Sequence, residues 1–116
     1  MSENDCLFCK IGRGEVPASK LLEDDDMVAF RDINPQAPVH ILIVPREHIP
    51  SLGHLDEGQA ELVGKLHLAA RDLARRAGLE NQGWRVVTNV GADAGQTVQH
   101  LHLHLLGGRA MHWPPG

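Results

Sequence analysis

The sequence lacks the features expected of membrane proteins and of proteins that bind nucleic acid polymers. None of its apolar runs approaches the roughly 20 residues of a membrane-spanning helix, and its polar, acidic N-terminus shows no apolar signal segment. The net charge is −4, and there is no basic cluster beyond Arg75-Arg76. Because DNA and RNA bind through many neutralised phosphates, we expect neither a nucleic acid polymer nor a membrane as partner, whereas a single nucleotide is compatible.

The sequence contains two cysteines, Cys6 and Cys9. We expect the chain to be cytoplasmic, and in a reducing compartment these residues are better suited as thiols for metal or redox chemistry than as a structural disulfide. The length of 116 residues, with 42% hydrophobic and 22% charged residues, predicts one globular domain that spans residues 1–116.

The hydrophobic patterning predicts a mixed fold. We expect a short helix over residues 6–11 capped by Asp5, and strands near residues 19–22, 27–31, 39–44 and 84–89. A long amphipathic helix should begin at Asp56, which forms a capping box with Gln59, and should end before Gly78. Few helices separate these strands, which favours an α+β fold with an antiparallel sheet over a doubly wound parallel one.

The most informative segment is His100-Leu101-His102-Leu103-His104-Leu105-Leu106. The alternation has the period of a β-strand, so it predicts a strand with leucines on one face and imidazoles on the other. Burial of the leucines would fix the register, because a slip of one residue would expose all of them. Three interpretations of the imidazoles are open: a solvent-facing polar surface, ligands of one catalytic metal, or a row that contains a nucleophile.

A glycine-rich loop over residues 91–97 precedes this segment. Its backbone N–H groups could line an anion, although the Gly-Lys-Ser/Thr ending of a Walker loop is missing. A loop of this kind is by itself more often an ordinary turn. Its position directly before the histidines favours a phosphate cradle beside a nucleophile.

Together with residues 95–98, 107–109 and 113–116, and with residues 32–40 (Asp-Ile-Asn-Pro-Gln-Ala-Pro-Val-His), the histidine segment resembles the histidine triad (HIT) superfamily, and within it the Hint branch of histidine triad nucleotide-binding proteins. The similarity extends from Cys6 to the C-terminus. It implies an antiparallel α+β fold with one long helix and a short N-terminal helix, and a homodimer whose sheet continues across the interface. It also implies hydrolysis of purine nucleoside phosphoramidates to the nucleoside monophosphate and an amine, with no catalytic cofactor.

The resemblance assigns roles to individual residues. His102 would attack the α-phosphate to form a covalent nucleotidyl-histidine, His104 would assist proton movement, and His40 would support the row. The bond between phosphorus and His102 would be a P–N bond, like the bond that breaks in the substrate, so the two are close in energy. The covalent intermediate therefore divides the reaction into two steps of similar difficulty. The implied nucleotide-binding residues are Phe8, Ile11, Asp32, Ile33, Asn89, Gly95, Gln96, Thr97, His102, His104 and Trp113.

Several of these residues also have ordinary structural interpretations. Asp32 could be a turn former, Phe8 and Ile11 could be core residues, and Trp113 either packs the tail or belongs to the partner subunit's substrate site. Thr97 stands where Hint relatives often have serine, and Gln99 replaces a frequent aromatic residue. The effect of both departures on specificity is left open.

The Cys6-x-x-Cys9 spacing is common in structural zinc sites, which need two further ligands. His48 and His100 are the candidates, partly because zinc-carrying relatives in the wider superfamily use the corresponding positions. Two thiols packed as small hydrophobic groups are the alternative. For the function of the whole chain, a phosphoramidate hydrolase is favoured over a nucleotide-binding interaction module with incidental turnover, and over a metalloenzyme that activates water at the histidine row.

Overall fold

A computed structural model describes residues 5–116 of the chain. Five strands form one antiparallel sheet in this part of the molecule: β1 (Lys20–Glu23), β2 (Met27–Arg31), β3 (Val39–Pro45), β4 (Trp84–Val87) and β5 (Leu103–Gly107). Their order across the sheet is β1-β2-β3-β5-β4. A short helix α1 (Leu7–Gly12) and a long helix α2 (Ala60–Arg76) complete the fold, which confirms the predicted α+β class with a short N-terminal helix and one long helix.

The two faces of the sheet carry separate hydrophobic clusters. Ile41 and Ile43 of β3 pack with α2, whereas Leu42 and Val44 of the same strand pack with α1. On the α2 side, Leu101, Leu103 and Leu105 are each at most 2% exposed. Because burial of one leucine contributes roughly 1.5–3 kcal/mol, these three fix the register and turn the intervening histidines toward α1, as the alternation predicted.

Helix α2 follows the predicted capping signal. The backbone N–H of Asp56 donates to Oε1 of Gln59 at 3.0 Å, which completes the capping box. The first turn (Glu57–Gln59) is a 3₁₀-helix, so the α-helix itself begins at Ala60. It ends before Gly78, whose φ of +76° needs a residue without a side chain. Within residues 5–116 no helix combines the length and apolar character that crossing a bilayer requires.

The structure differs from the sequence prediction at three boundaries. Strand β5 begins at Leu103 instead of His100, because the backbone N–H of Leu101 donates to the carbonyl oxygen of Ile49 at 2.6 Å and not to the β3 ladder. Strand β4 ends at Val87 rather than at residue 89. Helix α1 is capped by Cys6, whose Sγ accepts from the backbone N–H of Cys9 at 3.5 Å, and not by Asp5.

Candidate active site

A cavity of about 380 Å³ opens on the α1 face of the sheet. Its lining is mostly apolar, with a smaller set of polar groups. The apolar lining comes from Leu7, Phe8, Ile11, Val16, Pro17, Ala18, Phe30, Ile33, Leu42 and Val98, and the polar lining from Arg31, Asp32, Thr97, His102 and His104. A flat aromatic base suits the apolar lining, and a phosphate or ribose suits the polar lining.

His102 is buried and held in one tautomer. Its Nδ1 atom lies 2.7 Å from the carbonyl oxygen of His100, which can only accept, so Nδ1 carries the hydrogen and donates. The Nε2 atom therefore keeps its lone pair. Burial lowers the pKa of His102, against the opposing effects of the His100 hydrogen bond and of Asp32. At neutral pH the side chain is thus an uncharged imidazole with a nucleophilic Nε2.

Thr88 supports this arrangement and was not found from the sequence. Its hydroxyl donates to the carbonyl oxygen of His102 at 3.0 Å. The hydrogen bond fixes the main chain of the histidine just before β5 begins. Threonine is one of the residues that are commonly found in β-strands, so nothing in the sequence distinguished Thr88 from the other residues of its predicted strand.

His40 and His104 form a second hydrogen-bonded unit. The backbone N–H of Gln36 donates to Nδ1 of His40 at 3.0 Å, so the hydrogen of neutral His40 is on Nε2. This Nε2 donates to Nδ1 of His104 at 2.9 Å, and Oδ2 of Asp32 lies 3.4 Å from the same Nε2. Neutral His104 consequently carries its hydrogen on Nε2, where it can be donated to a bound ligand.

All three histidines are uncharged at neutral pH. Burial, followed by the charges of His102 and His40, lowers the pKa of His104 to about 4, although Asp32 opposes the shift. Burial also lowers the pKa of His40, again against Asp32. The three histidines therefore contribute little positive charge to the site before an anion enters.

The tautomer of His40 argues against a metal at this unit. Ligand atoms of Asp32, His40 and His104 do lie within 4.8 Å of one another. Coordination through Nε2 of His40 would, however, place a hydrogen on Nδ1, directly opposite the N–H of Gln36. The geometry of this unit suits proton transfer rather than metal coordination.

Some of the residues predicted to bind the nucleotide line the cavity, and others do not. Phe8, Ile11, Asp32, Ile33, Thr97, His102 and His104 line the cavity. Phe8 and Ile11 are also buried in the α1 cluster, so they are core residues that line the cavity as well. Ile33 is fully exposed at the rim.

Four of the predicted nucleotide-binding residues are not among the described residues that line this cavity: Asn89, Gly95, Gln96 and Trp113. The side-chain amide of Gln96 donates to the carbonyl oxygens of Pro50 at 2.8 Å and Val98 at 3.0 Å, and its Oε1 accepts from the N–H of Gly91 at 3.0 Å. Gln96 therefore uses its side chain to hold the glycine-rich loop. Trp113 is 84% exposed in the tail.

A Cys–His cluster, formed by Cys6, Cys9, His48 and His100, lies next to the cavity. Sγ of Cys6 is 3.3 Å from Nδ1 of His100, Sγ of Cys9 is 3.3 Å from Nδ1 of His48, and the two Nδ1 atoms are 3.2 Å apart. Zinc–sulfur bonds of about 2.3 Å and zinc–nitrogen bonds of about 2.0–2.1 Å in a tetrahedron place ligand atoms about 3.3–3.8 Å apart. The predicted donor set thus has the composition and the spacing of a zinc site.

The orientation of His100 also fits a metal ligand. Its Nε2 lies 2.8 Å from the carbonyl oxygen of Pro45 and donates to it, which leaves the Nδ1 lone pair directed at the cysteines. A ligating histidine commonly donates its other N–H to a carbonyl in this way. His100 is completely buried.

Phe8 lies between the cluster and the cavity. Its ring centroid is 5.0 Å from that of His102 and 6.0 Å from that of His100, with edge-on angles of 84° and 73°. Such edge-to-face contacts favour one relative orientation of the rings. Phe8 is carried by the same helix as Cys9.

Comparisons with known proteins relate the chain to one family. The family model described as the HIT domain matches residues 13–111. A crystal structure of a HIT family hydrolase from Legionella pneumophila is 50% identical, with a TM-score of 0.95 over 97% of this chain and 100% of that one. The 14 kDa zinc-binding protein of Zea mays is 45% identical, covering 100% of this chain and 91% of its own. Adenylylsulfatase HINT1 of Arabidopsis thaliana is 43% identical, and the match covers 99% of this chain and 79% of that protein.

Proposed function

The chain belongs to the HIT domain family, in its Hint-like branch, and we propose that it hydrolyses the P–N bond of purine nucleoside phosphoramidates through a nucleotidyl-His102 intermediate. The observation that carries the proposal is the tautomer of His102. Its Nδ1–H is committed to the His100 carbonyl, so Nε2 is free to attack phosphorus from an uncharged ring at neutral pH.

In the first step, Nε2 of His102 attacks the α-phosphorus, a P–Nε2 bond forms and the P–N bond to the amine breaks. The departing amine needs a proton, which His104 can donate from Nε2 once the hydrogen-bonded His40–His104 pair has taken up one proton from solvent with the anionic substrate. A substrate phosphate raises the pKa of His104 from its low value by adding negative charge beside it. The positive charge that develops on His102 is stabilised by the Nδ1–H hydrogen bond to His100.

In the second step, water attacks the phosphorus of nucleotidyl-His102. The P–Nε2 bond breaks, the nucleoside monophosphate is released, and His104 accepts the proton that the water loses. His40 keeps His104 in the required tautomer through its Nε2–H. The chain thus returns to its initial protonation state after one cycle.

The cavity supports the proposed substrate class. The apolar lining, including Phe8, Ile11 and Phe30, fits a purine ring, and Asp32 is close enough to the histidines to bind ribose hydroxyls while the phosphate lies at His102. Thr97 belongs to the polar lining as well, where it can contact the phosphate or the leaving group. AMP and GMP are the expected products. The thiol state of both cysteines is compatible with a cytoplasmic enzyme.

We further propose that Cys6, Cys9, His48 and His100 hold one structural zinc ion. The spacing of the four ligand atoms and the Pro45 hydrogen bond to His100 support this assignment. The name of the maize relative is consistent with it. Bound zinc would join helix α1 to the segment that precedes β5, and catalysis itself would need no metal.

The proposed function is tested with adenosine 5′-phosphoramidate as substrate. The purified wild-type protein should release ammonia and AMP, and a quenched reaction should show one adenylyl group per chain, mapped to His102 by mass spectrometry. His102→Ala should abolish turnover while AMP still binds, because the nucleophile is removed but the cavity is kept. An adduct on His100, or rapid turnover by His102→Ala, would refute the assignment.

The same assay separates the alternatives. Turnover that persists in a strong chelator excludes a water-activating metal. A protein that binds AMP with a wild-type His102 but does not turn over phosphoramidates would instead be a nucleotide-binding interaction module.

A further inference from the structure

We propose that His100 is a positioning residue for His102, and that through it metal binding at the Cys–His cluster is coupled to nucleotide binding and to attack by His102. This inference rests on the function proposed above. It extends the role of the cluster from holding the fold together to setting the rate of the first chemical step.

The first connection is His100 itself. Its side chain is held at both ends, by Cys6 at Nδ1 (3.3 Å) and by the Pro45 carbonyl at Nε2 (2.8 Å). Its carbonyl oxygen accepts the Nδ1–H of His102 at 2.7 Å. The residue that completes the cluster is therefore also the one that fixes the tautomer and ring orientation of the nucleophile.

The backbone around His100 lies outside the hydrogen-bonded part of the sheet. His100 lies outside β5, which begins at Leu103, so the sheet ladder does not hold its peptide group. A main-chain hydrogen bond from Leu101 N–H to the carbonyl oxygen of Ile49, and the hydroxyl of Thr88 on the carbonyl oxygen of His102, tie the segment to its neighbours. The completely buried side chain of His100 is a further anchor for its own carbonyl group.

The second connection is helix α1. Cys6 caps this helix and Cys9 lies within it, while Leu7, Phe8 and Ile11 of the same helix belong to the apolar lining of the cavity. Phe8 contacts the rings of both His100 and His102. A metal that holds the cysteines in place therefore also holds the proposed base-binding surface in place.

Coupling of this kind is reciprocal: if the metal tightens AMP binding, AMP must tighten metal binding by the same factor. We therefore expect metal-loaded protein to bind AMP about 5–150-fold more tightly than metal-stripped protein, the usual range for coupled sites. The affinity for Co²⁺, measured by competition with a chromophoric chelator, should rise by the same factor when AMP is saturating. The visible spectrum of the bound Co²⁺ should change when AMP is added.

The kinetic test uses a phosphoramidate of AMP with a chromophoric aromatic amine, mixed rapidly with the protein. The amplitude of the first turnover counts intact sites, and its rate reports attack by His102. Removal of the metal should lower this rate by about 10–100-fold, the usual effect of disturbing a supporting contact, with the amplitude retained. A purely structural role would instead lower the amplitude as molecules unfold and leave the rate of the intact ones unchanged.

His48 offers a variant with a conservative rescue. It is the least buried of the four ligands and does not line the proposed nucleotide cavity. His48→Ala should weaken Co²⁺ binding and slow the first turnover, and His48→Cys, which restores a ligand accepted by zinc and cobalt, should recover both. His67→Ala, on the exposed surface of α2, is the matched control and should change neither.

Equal AMP affinity with and without metal, together with an unchanged first-turnover rate, would overturn the coupling. Failure to bind Co²⁺ would overturn it as well. If the wild-type protein released no amine at all, the proposed hydrolase function would fail, and the effect of AMP on the Co²⁺ spectrum would still decide whether the two sites are coupled.

Discussion

Nε2 of His40 lies 2.9 Å from Nδ1 of His104 and donates its hydrogen to it. The N–H of Gln36 fixes the tautomer of His40 from the other side. Together these two hydrogen bonds leave His104 with its own N–H directed away from His40. In the proposed mechanism, the proton donor is thus oriented through His40 by the backbone N–H of Gln36.

We predict that His104→Ala slows turnover by about 10²–10⁴-fold, the usual contribution of a general acid. The loss should be largest for alkyl amines, which leave poorly without a proton, and smallest for weakly basic aromatic amines. Steady-state rates over a series of amines would measure this. Equal losses for all amines would show that His104 does not protonate the leaving group.

The pH dependence of kcat/KM should reflect the lowered pKa values of the histidines. Burial lowers the pKa of His102 below its ordinary value and lowers that of His104 to about 4, so both rings are mostly neutral at pH 6.5 in the free enzyme. The acid limb of kcat/KM should therefore lie below pH 6.5. An acid limb centred at or above pH 6.5 would contradict the neutral, buried nucleophile.

Stability should also depend on pH, with a defined sign. A histidine whose folded pKa lies below its unfolded value favours the folded state most above the unfolded pKa, because the unfolded chain binds more protons as pH falls. We expect the free energy of unfolding to drop between pH 6.5 and 4 by an amount on the order of 1–2 kcal/mol from the partly buried His104, after allowance for solvent screening. Urea denaturation across this range measures the change, and in His104→Gln the slope should be smaller.

Zinc content gives a direct test of the cluster. Elemental analysis should find close to one zinc per chain, and Cys9→Ser should lose it while retaining measurable activity. The melting temperature should fall by roughly 5 °C or more, since about 1 kcal/mol corresponds to 4–8 °C in a domain of this size. Lys10→Ser, on the same helix, is the control that should keep both the zinc and the melting temperature. A metal-free wild-type protein would end the assignment.

We propose that the C-terminal tail reaches the substrate site of the partner subunit in a homodimer. The carbonyl of His112 accepts from Arg85 at 3.1 Å, while Trp113 is largely exposed in the single chain, as a residue that serves a partner's site would be. We predict that deletion of residues 111–116 alters the preference among leaving amines more than it alters the mass in solution. If the shortened protein handles every amine as the full chain does, the tail has no part in catalysis.

The sequence by itself determined the class of fold and which histidines and cysteines the fold brings together. The alternation of Leu101, Leu103 and Leu105 with histidines predicted which face is buried, because the period of two puts all three leucines on one face and burial of their apolar area is favourable. The Asp56–Gln59 capping box and Gly78 located helix α2 through local hydrogen bonding and backbone conformation. The four residues of the Cys–His cluster could likewise be named in advance, from cysteine spacing together with a family resemblance.

Only the tertiary structure decided the protonation pattern and the connections between the sites. The tautomers of His40, His100 and His102 are set by main-chain groups of Gln36, Pro45 and His100, and a backbone N–H or carbonyl has no signature in a sequence. The departure of His100 from strand β5 and the use of the Gln96 side chain to hold its own loop depend on distant partners, Ile49 and Pro50. Local propensity cannot predict such contacts, because they form between residues about 50 positions apart only when the sheet has brought them together.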